Sequence, residues 1–443
     1  MKVTKKKLDD GRFRLECVAT PEEVGNALHT AQLGFANSMG LRPEQGKTIA
    51  QVAQERMGIK DLDSIVEGKA IEALVPYALD KKNLIPSFPP KAAPISPLRR
   101  GQEFRFALDV TPKPSYELTS YEPVEITVPS YQFDEAAVDA QLEEMASRYT
   151  VYEKVADKVI EKGDSCLISM EAFEDGKPLP GLTSDGRTYT TGAGYMPDGF
   201  DQQIIGMSPG ETKEFTFEGP SLDEDLNETT QTVTCKVTVK EVQQPTTPPV
   251  DDAWVKANMP MYAGLAELRA EIAKSLERRD REQYEGYRRQ LVAAELGRRF
   301  QGAIADEVYE AMRGNLMESI RIDLQQQGKT WEEFVNENGG EQQLGIMMMM
   351  QAREMLVQGF ALDAVFQHEG LSLTEEDLEA ACAAINPSMN PKQVRKQFEQ
   401  TGRGFALRES AERLKANKWA LDRAIVRTPE EASAAAGNDA DQA

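Results

Sequence analysis

The sequence predicts a multidomain α+β protein, because its 443 residues fall into three regions with different patterns. Two alternating strands with an amphipathic helix between them come first. Short strands and glycine turns follow, and amphipathic helices fill the last region. The length is sufficient for about three domains. With 40% hydrophobic residues, the chain can form ordinary globular cores.

The first region combines strands and helices. Apolar and polar residues alternate at 13–17 and again at 104–110, as in strands that are buried on one face. Between these strands, Thr20 and Glu23 have the spacing of a capping box, and apolar residues then recur at helical spacing. A further helical stretch begins near Ile49, and a proline-rich connection follows it. This combination predicts a small α+β domain.

The second region, residues 150–245, consists of short apolar strands and turns. The strands include CLISMEAF, ETKEFTFEG and TVTCKVTVKEV, and the turns include DGKP and the glycines of TTGAGYMPDGF. Such segments predict a mostly antiparallel β domain. The stretch QQPTTPPVDD, which is rich in Pro and Thr, has the composition of a linker.

The third region, residues 253–427, is predicted to be helical. Apolar residues recur along it at helical spacing. Thr374 and Asp377 have the spacing of another capping box, and Pro391 is suited to the first turn of a helix after Asn390. The last residues are small and polar, which predicts a disordered tail.

Five methionines lie within nine residues of this helical region: Met347, Met348, Met349, Met350 and Met355. Four in succession cannot share one helical face, because a turn takes about 3.6 residues. Methionine side chains are flexible and polarizable, so they suit a surface that accepts many apolar shapes. A helix buried on most of its sides is the alternative interpretation.

The segment GLRPEQGKT, residues 40–48, is similar to a phosphate-binding loop with one residue too many. A phosphate loop follows a buried strand, whereas the segment before Gly40 is predicted to be helical. Glu44 would also bring a carboxylate to the phosphate. We therefore exclude a nucleotide site and look for another role of this loop.

The composition argues against several classes of function. The net charge of −22 argues against nucleic acid as a general partner, but residues 1–60 carry +3 and the remainder −25. A basic end favours docking on an RNA-rich surface, with a solvated face as the alternative. No long apolar run and no secretion signal is present, which predicts a soluble, cytoplasmic protein without a membrane partner. Four scattered cysteines fit a reducing compartment.

The sequence contains no motif for a metal, a cofactor or acid–base catalysis. Its two histidines, His29 and His368, are isolated. We therefore predict no metal site and no cofactor. Prolyl isomerisation remains compatible, because an apolar pocket that twists the X–Pro bond lowers the barrier of about 20 kcal/mol without proton transfer.

Together, the order of these regions and the loop resemble the bacterial trigger factor family of ribosome-associated chaperones, over almost the whole chain. The docking loop of that family reads G-F-R-x-G-K. The residues that fill these positions and are implied to bind the ribosome are Gly40, Leu41, Arg42, Gly46 and Lys47. This sequence departs from the motif in having leucine instead of phenylalanine and two extra residues, Glu44 and Gln45.

The middle region resembles the FKBP-type prolyl isomerase domain of the same family, through YMPDGFDQQIIGMSPGE. The resemblance implies an apolar catalytic pocket that includes Phe200, Met196, Tyr189, Met170 and Leu179. Several aromatic residues of the family are replaced here; for example, Met170 stands for an aromatic residue. This replacement predicts a degenerate pocket with weak activity, and an inactive β scaffold is the alternative.

The resemblance implies an all-α chaperone domain with extended arms, in which the five methionines bind clients. The implied partners are the large ribosomal subunit near the exit tunnel, nascent and unfolded polypeptides and, away from the ribosome, a second copy of the chain. The implied function is ATP-independent assistance in protein folding and export. There are two alternatives. One is a protein that is mainly a prolyl isomerase, and the other is a ribosome-independent holdase or assembly factor with an inactive FKBP-like domain. The predicted boundaries are 1–115 for the ribosome-binding domain, 116–149 for a connection, 150–245 for the FKBP-like domain, 246–430 for the chaperone domain and 431–443 for the tail.

Overall fold

The computed structural model describes residues 1–42, 46–155, 157–174, 176–222 and 228–431. Contacts divide the chain into two units: Met1–Ser130 together with Tyr284–Ala443, and Tyr131–Gln283. The domain boundaries predicted from the sequence stay a prediction, because this division follows contacts alone. From residue 432 onward, the predicted tail lies outside the described residues. No helix in the described ranges combines the length and the apolar character that crossing a membrane requires.

The first unit begins with a four-stranded antiparallel sheet covered by helices. The elements are β1 (Lys2–Lys7), β2 (Phe13–Ala19), α1 (Pro21–Ser38), α2 (Ile49–Met57), α3 (Leu62–Lys81), β3 (Ala92–Pro94) and β4 (Phe104–Val110). The strand order of the sheet is β1-β2-β4-β3, and the side chains of Leu15, Phe104, Phe106 and Leu108 are fully buried beneath α1 and α3. Both predicted strands and the predicted capping box are confirmed.

The second unit contains a six-stranded antiparallel sheet, which confirms the predicted β architecture. In chain order, β5 (Glu117–Leu118) and β6 (Glu125–Thr127) of the first unit precede this sheet. The following elements are α4 (Ala136–Ser147), β7 (Val151–Lys154), β8 (Ser165–Glu174), β9 (Lys177–Pro178), β10 (Ser184–Thr190), α5 (Asp198–Ile204), β11 (Thr212–Leu222), β12 (Glu228–Thr246), α6 (Asp252–Asn258) and α7 (Leu265–Arg298). The residues of α7 from Tyr284 onward belong to the first unit. Four strands of the sheet have the order β10-β8-β12-β11, while β7 pairs with β12 and β9 pairs with β8.

The last part of the chain returns to the first unit as helices and two short strands. The final strand pairs in parallel with β6, and the strand that follows α7 pairs with β5. The predicted caps at Thr374 and Asn390 are confirmed, and the multidomain α+β class is confirmed with them. The elements are β13 (Phe300–Gln301), α8 (Asp306–Gln327), α9 (Trp331–Glu337), α10 (Glu341–His368), α11 (Glu375–Ile385), α12 (Pro391–Gln400), α13 (Gly404–Arg423) and β14 (Ile425–Arg427).

An ionic network surrounds the buried Asp363 carboxylate in the first unit. The Lys113 ammonium lies 2.8 Å from an Asp363 carboxylate oxygen and 2.9 Å from one of Glu409. The Arg413 guanidinium lies 2.8 Å from each of the same two carboxylates. Burial also raises the pKa of the neighbouring Glu412 carboxyl. Because breaking a buried pair leaves an uncompensated charge in the interior, this network fixes the segment around residue 113 to α10 and α13.

A second close contact in the same unit joins α3 to the end of α12. The Tyr77 hydroxyl donates to the carbonyl of Gln400. Gly402 follows with a φ of +67°, and a Cβ at this position would lie 2.7 Å from Tyr77 atoms. Glycine is required here for two reasons, the left-handed backbone and the close approach.

Candidate functional sites

The methionine cluster on α10 is divided between core and surface. Met348 is 4% exposed, whereas the exposed fractions of Met347, Met349, Met350 and Met355 are 44%, 58%, 68% and 46%. This division follows from the helical turn, because four consecutive side chains, about 100° apart around the helix, cannot all face a single core. Four flexible apolar side chains of α10 are therefore partly open to solvent.

The core beneath these methionines is small. Met348 packs there with Val335 and Leu344. Partly buried residues from α8 and α9 complete it: Leu316, Met317, Ile320, Trp331 and Phe334. By contrast, residues 359–365 of the same helix are all buried. The exposed methionines thus lie on a segment of α10 that neighbouring helices cover on one side only.

The predicted docking loop begins at the end of α1. Gly40 has a φ of +64°, and the Leu41 amide donates to the carbonyl of Ala36 over 2.8 Å. This arrangement closes the helix in the usual left-handed manner, for which glycine is favoured. The Leu41 side chain is 9% exposed and belongs to the core of the N-terminal sheet and helices. Leu41 therefore anchors the loop to the domain.

The two predicted docking cations differ in their surroundings. The Lys47 ammonium, which follows Gly46 in the loop, lies 2.5 Å from the Glu55 carboxylate on α2. Arg42 is exposed, and no ion pair of its guanidinium occurs among the residues that the structure describes. Glu44 and Gln45 lie outside the described residues. The positive charge of Lys47 is thus partly neutralised by a neighbour, while that of Arg42 faces solvent.

Three of the five predicted catalytic residues lie in the core of the β domain. Phe200, Met170 and Tyr189 are at most 4% exposed, whereas Met196 and Leu179 are half-buried and pack against this core. The centroid of the Phe200 ring lies 5.3 Å from that of Tyr189. Phe215 and Phe217 also surround it, with centroids at 5.5 Å and 5.4 Å respectively. Contact with a substrate would therefore involve the two half-buried residues first.

The Tyr189 hydroxyl is bound inside the same core. It donates to an Asp201 carboxylate oxygen over 2.5 Å, and the Gly192 amide donates to the other oxygen over 3.0 Å. Burial and the hydrogen bond to Asp201 raise the pKa of Tyr189. The hydroxyl therefore stays protonated, and its hydrogen bond to Asp201 is part of the core of the domain. Asp201 was not among the residues predicted from the sequence, although it directly follows Phe200 in the FKBP-like motif.

The comparisons with known proteins decide the family. The family "Bacterial trigger factor protein (TF)" matches residues 1–145, and "Bacterial trigger factor protein (TF) C-terminus" matches residues 264–422. The chain belongs to the trigger factor family. The β domain lies between the two matched ranges. Trigger factors are ribosome-associated chaperones that act in protein folding, and the chain shares this function.

Similar trigger factors cover most of the chain. The Desulforudis audaxviator trigger factor is 26% identical over 87% of this chain and 88% of its own length. The one from Pelotomaculum thermopropionicum is 24% identical over 96% and 98%. A solved structure described as "Promiscuous Substrate Recognition in Folding and Assembly Activities of the Trigger Factor Chaperone" is 19% identical, covers 95% of this chain and 99% of that chain, and has a TM-score of 0.34.

Proposed function

We propose that this trigger factor holds unfolded and nascent polypeptides on the exposed methionines of α10, without ATP. The observation that carries the proposal is the exposure of Met347, Met349, Met350 and Met355 by 44–68%. Full burial of such a side chain contributes about 1.5–3 kcal/mol, so each partly exposed methionine contributes about half of that. Several weak contacts of this kind bind varied apolar segments and still release them.

The test is suppression of aggregation of a chemically unfolded client by the full-length protein. A variant with these four methionines replaced by Gln is expected to lose most of the suppression, while Met348 stays unchanged to preserve the core. The matched control replaces three exposed methionines elsewhere and is expected to behave as wild type: Met39, Met57 and Met261. Full suppression by the α10 variant at every molar ratio would refute the assignment of the client surface.

We propose further that Arg42 supplies most of the docking charge of the loop at the large ribosomal subunit near the exit tunnel. Its guanidinium faces solvent, whereas Glu55 already pairs with Lys47. Arginine also matches phosphate and carboxylate groups with two parallel hydrogen bonds. In ribosome co-sedimentation at low salt, Arg42→Ala should release more protein than Lys47→Ala does, and the exposed control Lys392→Ala should release none. Equal pelleting of all three variants would contradict this assignment.

We propose that the β domain is an FKBP-type prolyl isomerase with weak turnover. The weak turnover is supported by the burial of Phe200, Met170 and Tyr189 in the core. Because these side chains are buried, they cannot form a pocket wall around a proline ring. In a protease-coupled proline-peptide assay, Met196→Ala and Leu179→Ala should each lower the rate. Tyr195→Ala, at an exposed neighbouring position, should leave it unchanged. An intact protein without any turnover would instead indicate a β scaffold.

The family's association with the ribosome argues against the ribosome-independent holdase, the alternative that the sequence left open. Intact protein that stays in the supernatant at low salt, but still suppresses aggregation, would favour it.

We also propose a cytoplasmic location and, away from the ribosome, a homodimer. Fractionation of cells tests the location. Sedimentation equilibrium tests the dimer, and a monomer at every concentration would refute it.

A further inference from the structure

Strand β1 carries an unusual concentration of lysines for an acidic chain. Its sequence is KVTKKK, and Lys2, Lys5, Lys6 and Lys7 are all exposed. Among the residues that the structure describes, none of these four lysines forms an ion pair. The whole chain has 51 basic and 73 acidic residues. Four positive charges without an ion pair therefore lie on one short strand, and the Lys5 ammonium lies 3.9 Å from the centroid of the Phe13 ring.

The arginines beside this strand are already neutralised. Arg12 lies 2.7 Å from the Asp10 carboxylate, and Arg14 lies 2.7 Å from that of Asp109. Both arginines follow β1 closely in sequence, in the turn and in the paired strand β2. The lysines of β1 therefore differ from their neighbours in having charge available for an outside partner.

The position of β1 leaves its lysines open to a large partner. β1 is the edge strand of its sheet, and no other strand of the described residues pairs with its outer side. Lys6 lies opposite Arg14, whereas Lys5 lies opposite Leu15 and Lys7 opposite Phe13. Residues paired in this way share a face, so the lysines project from both faces. From Lys2 to Lys7 the strand extends about 17 Å, and positive charge lines this whole edge.

We propose that the edge of β1 binds the phosphate backbone of RNA. RNA offers a regular row of negative charges, which complements lysines spaced along an extended strand. An anionic membrane is a poorer fit, since interfacial binding also needs exposed apolar side chains, and the apolar residue within β1, Val3, is half-buried. The inference rests on the proposed ribosome docking only for the source of the RNA.

Edge protection is the competing explanation of these lysines. Charged side chains, lysine above all, prevent an edge strand from pairing with another protein chain. Protection requires charge of either sign, whereas RNA binding requires positive charge. A Lys→Glu variant at all four positions therefore separates the two explanations. This variant keeps charged side chains that protect the edge, but it should no longer bind RNA.

The experiment measures binding of the full-length protein to a fluorescein-labelled RNA duplex by anisotropy, over a series of salt concentrations. Four phosphate contacts give a slope of about −3.6 in log affinity against log salt, or about 150-fold weaker binding at 200 mM than at 50 mM salt. The variants replace Lys2, Lys5, Lys6 and Lys7 by Gln or by Glu. The control replaces four exposed lysines elsewhere by Gln: Lys256, Lys274, Lys392 and Lys396.

The inference predicts that both β1 variants lose this slope and bind RNA at least 100-fold more weakly at 50 mM salt, while circular dichroism and the control stay unchanged. Unchanged affinity and slope in a folded Glu variant would overturn it. Binding of wild-type protein to vesicles of phosphatidylserine and phosphatidylcholine, without binding to RNA, would also overturn it. The docking proposal is judged separately, by Arg42→Ala on whole ribosomes.

Discussion

Replacing Phe200 by Ala tests whether this side chain belongs to the core of the β domain or to a substrate pocket. The Phe200 side chain is fully buried and touches three aromatic rings at centroid distances of 5.3–5.5 Å. Truncation of such a phenylalanine costs about 3–5 kcal/mol, from lost burial and from the cavity that remains. We therefore expect local opening of the β domain to become about 100- to 4,000-fold more frequent, at one decade per 1.4 kcal/mol.

Hydrogen exchange with mass spectrometry on the full-length protein measures this opening directly. Peptides from β8 and β11 should lose protection by that factor, and peptides from α10 should not change. Tyr195→Ala, an exposed position in the same segment, is the control and should leave exchange unaltered. Loss of isomerase turnover in Phe200→Ala with unchanged exchange would refute the core assignment, because turnover would then depend on Phe200 without the fold depending on it.

Three further predictions concern stability. Asp363→Ala removes a buried carboxylate shared by two cations, so the free energy of unfolding should fall by about 3–5 kcal/mol in denaturant titrations; an unchanged value would mean that the network is inert. Burial raises the pKa of Glu412 in the folded protein, so wild-type stability falls as the pH rises from the ordinary carboxyl pKa through the raised one. Glu412→Gln should lack this fall when unfolding is measured over a pH series, and an identical pH profile would contradict the assignment. Gly402→Ala brings a Cβ to 2.7 Å from Tyr77 at a positive φ, and should lower the melting temperature more than Gly370→Ala, where the space is open; equal effects would argue against the close contact.

Elements with strong local signals were predictable from the sequence. The alternation at residues 104–110 gave a buried strand face, and the capping boxes at Thr20 and Thr374 mark true helix starts. The stretch from Ile49, by contrast, is two helices, because α2 ends at Gly58 in a left-handed cap. Apolar residues continue on both sides of that glycine, so periodicity alone does not show the break.

The candidate sites depended more on tertiary packing. Sequence left open whether the methionines are buried, since that depends on where α8 and α9 pack against α10. The pairing of Lys47 with Glu55 depends on how the loop approaches α2. The capture of the Tyr189 hydroxyl by Asp201 joins residues 12 positions apart through the turn before α5. Such contacts are set by the folded backbone, and residue types alone do not determine them.

The parallel pairing of β14 with β6 gives the protein an unusual order of maturation. Ile425 pairs with Glu125, at a separation of 300 residues, and the Ile425 amide donates to the Val124 carbonyl over 2.8 Å. During synthesis at about 5–20 residues per second, strand β6 therefore waits roughly 15–60 s for its partner. A chaperone that binds incomplete chains therefore completes its own fold only when strand β14 has been synthesised. A truncation before Ile425 would leave β6 without this strand partner.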